Sequence, residues 1–214
     1  MLNTRFLSAV SLSWSKPSAR IVTRGASGVR CFSVTAGHIV SSESTVPSEG
    51  LLALLAAEDK LDRGLVGLLG AAAAKRGIPP EHLLIEEKLI HPAEVVGALE
   101  RLATAQFRAA MMGEGQAAAA TGAVGRGTIR LHLGALLLEQ FRALPSDVIR
   151  HYLGGASGAL KLHAGEDTLG ALRLQPAELR AARQAEVLLS DAQNDRAVRL
   201  GGALLALGLA TWHP

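Results

Sequence analysis

The chain has 214 residues, is 49% hydrophobic, and carries 22 basic against 19 acidic side chains, a formal charge of +3. It has no apolar run approaching the roughly 18 to 20 residues a bilayer-spanning helix needs, and it is long enough to bury a core of its own. The basic excess invites a nucleic-acid partner, but its distribution along the chain argues against one.

Residues 1–42 hold Arg5, Lys16, Arg20, Arg24 and Arg30 and no carboxylate; Glu43 is the first. A basic, serine-rich, acid-free start with scattered Leu2, Phe6, Leu7, Val10, Leu12 and Trp14 has the composition of an organellar presequence. Positive charge responds to an inside-negative membrane potential, and an amphipathic segment folds on a receptor or membrane surface. Arg30-Cys31-Phe32-Ser33 resembles a mitochondrial processing site, with Arg30 and Phe32 ahead of the cut and Ser33 as the first mature residue. The expected organisation is therefore a presequence over 1–32, a flexible lead-in over 33–50 and a helical domain over 51–214. Removing 1–32 leaves 17 basic against 19 acidic side chains, which takes away the case for nucleic acid. Cys31, the single cysteine, leaves as well, and with it thiolate chemistry and cysteine-ligated metals.

From 33 to 50 the sequence is small, polar and aperiodic. A helix is predicted from Ser48, with Leu54, Leu61, Leu65, Leu68 and Ala72 on one stripe, weakened by Gly64, Gly67 and Gly70. Gly77-Ile78-Pro79-Pro80 ends it, and a short helix over 81–91 follows. After Pro92, the spacing of Val95, Leu99, Leu102 and Phe107, with Glu94, Arg101 and Arg108 opposite, predicts a helix over 93–112. The alanines and glycines of 113–127 read as a loop with a helical turn. Ile129, Leu133, Leu136, Leu137, Phe141 and Leu144 predict a helix over 129–144, and Pro145-Ser146-Asp147 starts a short segment to Leu153. Residues 159–174 suit loose helices or a β-hairpin, 177–190 read as helix, and an apolar segment closes the chain from Ala197 to Trp212.

Few constellations carry chemistry. His82 with Glu86, and Glu87 with His91, are each four apart and share a helix face, but Glu-x-x-His pairs on separate helices are lacking and salt bridging or capping explains them better. Gly122 to Thr128 lacks the Gly-Lys-Ser/Thr ending of a phosphate loop, and Ala159 stands where a nucleophile elbow around Ser157 requires glycine. His132, His151 and His163 have no acidic partner at fixed spacing. No metal or cofactor is expected. The terminal segment presents Leu200, Leu204, Leu205, Leu207, Leu209 and Trp212 around its circumference, which marks a core helix or a docking element for a partner or the membrane interface.

These readings predict an all-α fold, a compact bundle of five to seven short helices with a hairpin as the alternative over 159–174. The scarcity of aromatics after Ser33 implies a marginal monomer that gains from a partner. Two functions fit: a non-catalytic helical subunit or assembly factor of a mitochondrial, inner-membrane-associated complex, placed in the matrix or on the matrix face, or a helical carrier that binds a lipid or quinone.

Overall fold

A computed structural model describes every residue except 123, 125–126, 155–158, 164, 173, 175, 177, 179, 181–185, 189–194 and 214. The chain begins with α1 (Thr4–Trp14), where the Asn3 side chain caps the helix by accepting from the Phe6 amide at 3.1 Å. Three antiparallel strands follow as successive hairpins: β1 (Ser18–Gly25), β2 (Gly28–Thr35) and β3 (His38–Ser44). The first loop has Gly25 paired with Gly28, leaving two residues between the strands. The second is Ala36-Gly37, both with positive φ (46° and 73°), the backbone that matches the twist of a two-residue hairpin.

A 3₁₀ turn at Pro47–Glu49 leads into α2 (Leu51–Ala57), α3 (Leu65–Arg76) and α4 (Pro80–Glu86). Gly77, at φ 64°, provides the left-handed cap that stops α3. The long α5 (Pro92–Met112) returns the chain to the sheet, where β4 (Gln116–Thr121) pairs antiparallel with β1 and β5 (Leu131–His132) with β3. The result is a five-stranded sheet in the order β4-β1-β2-β3-β5. The remainder comprises α6 (Leu133–Arg142), α7 (Ser146–Tyr152), β6 (Ala159–Leu162), α8 (Glu166–Ala171), β7 (Glu186–Leu188), α9 (Asp195–Ala206) and β8 (Ala210–His213); the short strands form a second sheet, β7-β6-β8.

The expected all-α bundle is thus corrected: the protein is a mixed α and β fold with an antiparallel sheet at its centre. The missed strands lie where composition pointed elsewhere. Ala19, Ile21, Phe32, Val34 and Ile39 alternate inward and are buried, a period-two pattern that runs across the expected presequence and the expected lead-in. Four consecutive alanines in β4 adopt strand, against their helical propensity, because β1 offers a full ladder of backbone partners. Over 159–174 a strand does form, but β6 pairs with β7 and β8 rather than with 172–174, and α8 occupies 166–171. Where a helix is expected over 177–190, Glu186–Leu188 form β7 instead because β6 offers them a ladder, and most of the rest lies outside the described residues.

Two apolar clusters hold the fold. In the larger, α1, α5 and the inner sheet face meet at an aromatic trio, with Phe6 and Phe107 ring centres 5.0 Å apart and Phe32 5.8 Å from each. The helices α6, α7 and α9 extend that cluster. In the smaller, Leu51, Leu52, Leu55, Leu61, Leu84, Ile90, Val95, Ala98 and Leu102 join α2, α4 and one stretch of α5. Among the described residues no helix is long and apolar enough to cross a membrane.

Candidate functional site

The residues expected at a processing site sit inside the first cluster's sheet. Arg30, Phe32 and Ser33 all belong to β2 and all are buried. Arg30 lies on the Glu49 carboxylate, its Nε donating to Oε2 at 2.8 Å, and Ser44 Oγ donates to the same oxygen at 2.7 Å. Burial alone would push the Glu49 carboxyl up; the hydrogen bonds from Arg30 and Ser44, with the guanidinium charge, outweigh it and hold the carboxyl below its usual range. Gln106 of α5 donates to the Glu49 backbone oxygen at 2.8 Å, so the pair ties β2 to the 3₁₀ turn and the long helix. Cys31 lies beside them in β2, and Arg20 Nε donates to its sulfur at 2.7 Å. The 33–50 stretch read as a flexible lead-in forms the end of β2, β3 and the 3₁₀ turn.

The terminal residues expected to dock a partner are packed against the chain's own core. Leu200, Leu204 and Leu207 are buried, and Leu205, Leu209 and Trp212 pack against the same cluster. Trp212 lies in β8 opposite Leu160 of β6. Of the histidine and glutamate cluster, Glu86 and Glu87 pair with Arg76 at 2.6 and 3.1 Å, and His91 caps α5 by accepting from the Ala93 amide at 3.3 Å. Salt bridging and capping account for those residues. Among the described residues, no group of three or more His, Cys, Asp or Glu is placed to hold a metal ion. Gly127 runs against the Val40 carbonyl so closely that no Cβ would fit, and Ser157 lies outside the described residues.

One polar cleft was not foreseen. A cavity of about 510 Å³ opens between the β3–β5 edge and helices α5 and α6, lined by His38, Thr104, Arg130, His132 and Glu139 among others. The His38 and His132 rings meet edge to face at 5.2 Å, and Trp14 stands 5.2 Å from His132 on another side. The Nδ1 atoms are committed to backbone, His132 accepting from the Ala135 amide at 3.1 Å as the cap of α6 and His38 lying 2.9 Å from the Ala36 oxygen. Thr104 also lines a second cavity of about 470 Å³, with Glu100, Arg101, Arg108 and Gln140. Charged side chains line both hollows. The two histidines are 94 positions apart in sequence, so only the pairing of β3 with β5 reveals their proximity.

Helix α3 turns apolar side chains to solvent. Its sequence, LVGLLGAAAAKR, buries only Ala73 completely, while Val66 and Leu69 lean on the smaller cluster. Leu65 is 40% exposed and Leu68 68% exposed. On the face opposite Ala73, the helical period sets Gly64, Leu68, Ala71 and Lys75 in one stripe.

Comparison with known protein families, characterised proteins and solved structures finds no match.

Proposed function

We propose that this chain is a non-catalytic subunit or assembly factor of a larger protein complex, and that it docks through α3. The observation that carries the reading is a twelve-residue helix, apolar along most of its length, that turns Leu68 and Leu65 to solvent. Covering those two side chains is worth about 2–3 kcal/mol at their exposure, or roughly a hundredfold in affinity. The small Gly64 and Ala71 beside Leu68 let another backbone approach closely. The terminal leucines, by contrast, are covered by the chain's own core.

The mitochondrial part of the expectation depended on removing residues 1–32. Phe6, Leu7, Val10, Ile21 and Phe32 lie in the core, and the proposal is confined to membership of a complex. The lipid or quinone carrier is the weaker reading, since the cleft of about 510 Å³ is lined by His38, Arg130, His132 and Glu139.

The test is a Leu65→Glu/Leu68→Glu double variant of the full chain, compared with the unsubstituted protein by native size fractionation of its source cells. The expected result is loss of the large species with an unchanged circular dichroism spectrum. Migration of the unsubstituted chain at its own mass, or a large species that survives both substitutions, would overturn the proposal.

A further inference from the structure

The five-stranded sheet ends on one side at β4, and β4 lacks the devices that usually blunt an edge strand. Its six residues, Gln116-Ala-Ala-Ala-Ala-Thr121, include no charge and no proline, and its ladder with β1 runs from Arg24–Gln116 to Ala19–Thr121 without a bulge. At the opposite edge β5 is only two residues long and turns at once into α6. Ala118 and Ala120 are exposed and short, so nothing in the side chains holds a further strand away. The backbone groups of β4 that face away from β1 form a row of donors and acceptors at strand spacing.

A second observation points to the same edge. Helix α1 packs against β4 and, less extensively, β1 on the inner sheet face, and it leaves Leu12 62% exposed and Met1 before it 77% exposed. From these we infer that two copies of this chain associate by antiparallel pairing of β4 with β4, forming one continuous sheet of ten strands across a two-fold axis. The inference is independent of the α3 surface. It commits to a second copy because the strand is self-complementary: antiparallel pairing about a two-fold axis at Ala119 sets Ala119 against its copy, Ala118 against Ala120 and Ala117 against Thr121, with no like charges opposed.

The geometry of the covering helices agrees. A two-fold axis perpendicular to the sheet keeps both α1 helices on the same face. With strands about 4.8 Å apart, a helix lying over the β4–β1 pair sits about 5 Å from that axis, so the two α1 helices run about 10 Å apart, near the upper end of the usual packing distance of helices. In that arrangement the two α1 helices adjoin, and the contact is isologous and closes as a dimer.

Sedimentation velocity of the full chain from about 1 to about 100 µM, with hydrogen exchange at both ends of that range, tests the inference. A dimer at high concentration is expected, with exchange of residues 116–121 slowing as concentration rises. Ala118→Lys/Ala120→Lys, at two exposed positions, is expected to weaken dimerisation at least about tenfold by opposing like charges across the axis. A monomer throughout the range overturns it. So does a dimer whose affinity the double variant leaves unchanged and whose β4 exchange is the same at both concentrations, a result that places the contact elsewhere, α3 included. If the double variant does not fold, exchange on the unsubstituted chain decides: slowing confined to 116–121 supports β4 pairing, and equal rates overturn it.

Discussion

Replacing Phe6 by alanine separates a folded N-terminus from a disposable one. Phe6 is fully buried, with Phe107 at 5.0 Å and Phe32 at 5.8 Å between ring centres, and it joins α1 to both the sheet and α5. Deleting a buried phenyl ring costs about 3–5 kcal/mol, and loss of two favourable ring contacts places the cost toward the top of that range. For a chain of 214 residues each kcal/mol lowers the melting temperature by roughly 2–4 °C, so Phe6→Ala should lower it by about 6–20 °C. Urea and thermal unfolding of the full chain measure this, with the exposed Ser8→Ala on the same helix as a control expected to stay within about 0.5 kcal/mol. The same reasoning makes a chain starting at Ser33 unable to fold, since Leu2, Phe6, Leu7, Val10, Ile21 and Phe32 together represent about 9–18 kcal/mol of burial against a total stability of about 5–15. A Phe6→Ala loss below about 1 kcal/mol, or a cooperative unfolding transition in the Ser33-start chain, would refute the assignment of these residues to the core.

Glu49→Gln should destabilise the protein by roughly 2–4 kcal/mol at pH 7, because it leaves the Arg30 guanidinium buried without its counter-charge; the side chains of the pair are 10% and 18% exposed. The Glu49 carboxyl is held low, so its contribution is fully present above its unfolded value near 4.5 and is lost as pH falls through the lower folded value. Urea midpoints from pH 7 down to pH 3 should therefore show the gap between wild type and variant closing below about pH 4.5; a constant gap would contradict the pairing. In α9, Gly202→Ala should destabilise by about 1–2 kcal/mol, although alanine is the better helix former by up to about 1 kcal/mol. A Cβ there would lie 2.6 Å from Ile149 Cγ2 and 2.8 Å from Phe141 Cε1, too close for the α6–α7–α9 contact to absorb; an unchanged or raised melting temperature would count against that packing.

The elements legible in the sequence are those whose stabilising contacts repeat within a few residues. Val95, Leu102 and Phe107 recur at helical spacing, and α5 forms over nearly the stretch they predict. Gly77-Ile78-Pro79-Pro80 stops α3 where a left-handed cap and two prolines require it, and Leu133, Leu136, Leu137 and Phe141 mark the buried face of α6. The apolar terminal segment likewise lies where expected, although what covers it is the chain's own core.

What tertiary structure alone decided is the sheet and everything placed by it. A strand draws its hydrogen bonds from a neighbour, and the neighbour of β1 includes β4, almost a hundred residues away, so no local spacing announces the pairing. The same arginines and apolar residues that compose a presequence in isolation become a ladder once Ile21, Phe32 and Val34 have α1 and α5 to pack against. Local composition favours helix for the alanines of β4, and the open backbone of β1 overrides it. The His38–His132 cleft exists only because β5 joins β3, and the exposed edge at β4 only because the sheet stops there. Helices in this protein are set by contacts within a segment; its strands, and the surfaces they create, are set by contacts between segments that only the folded chain brings together.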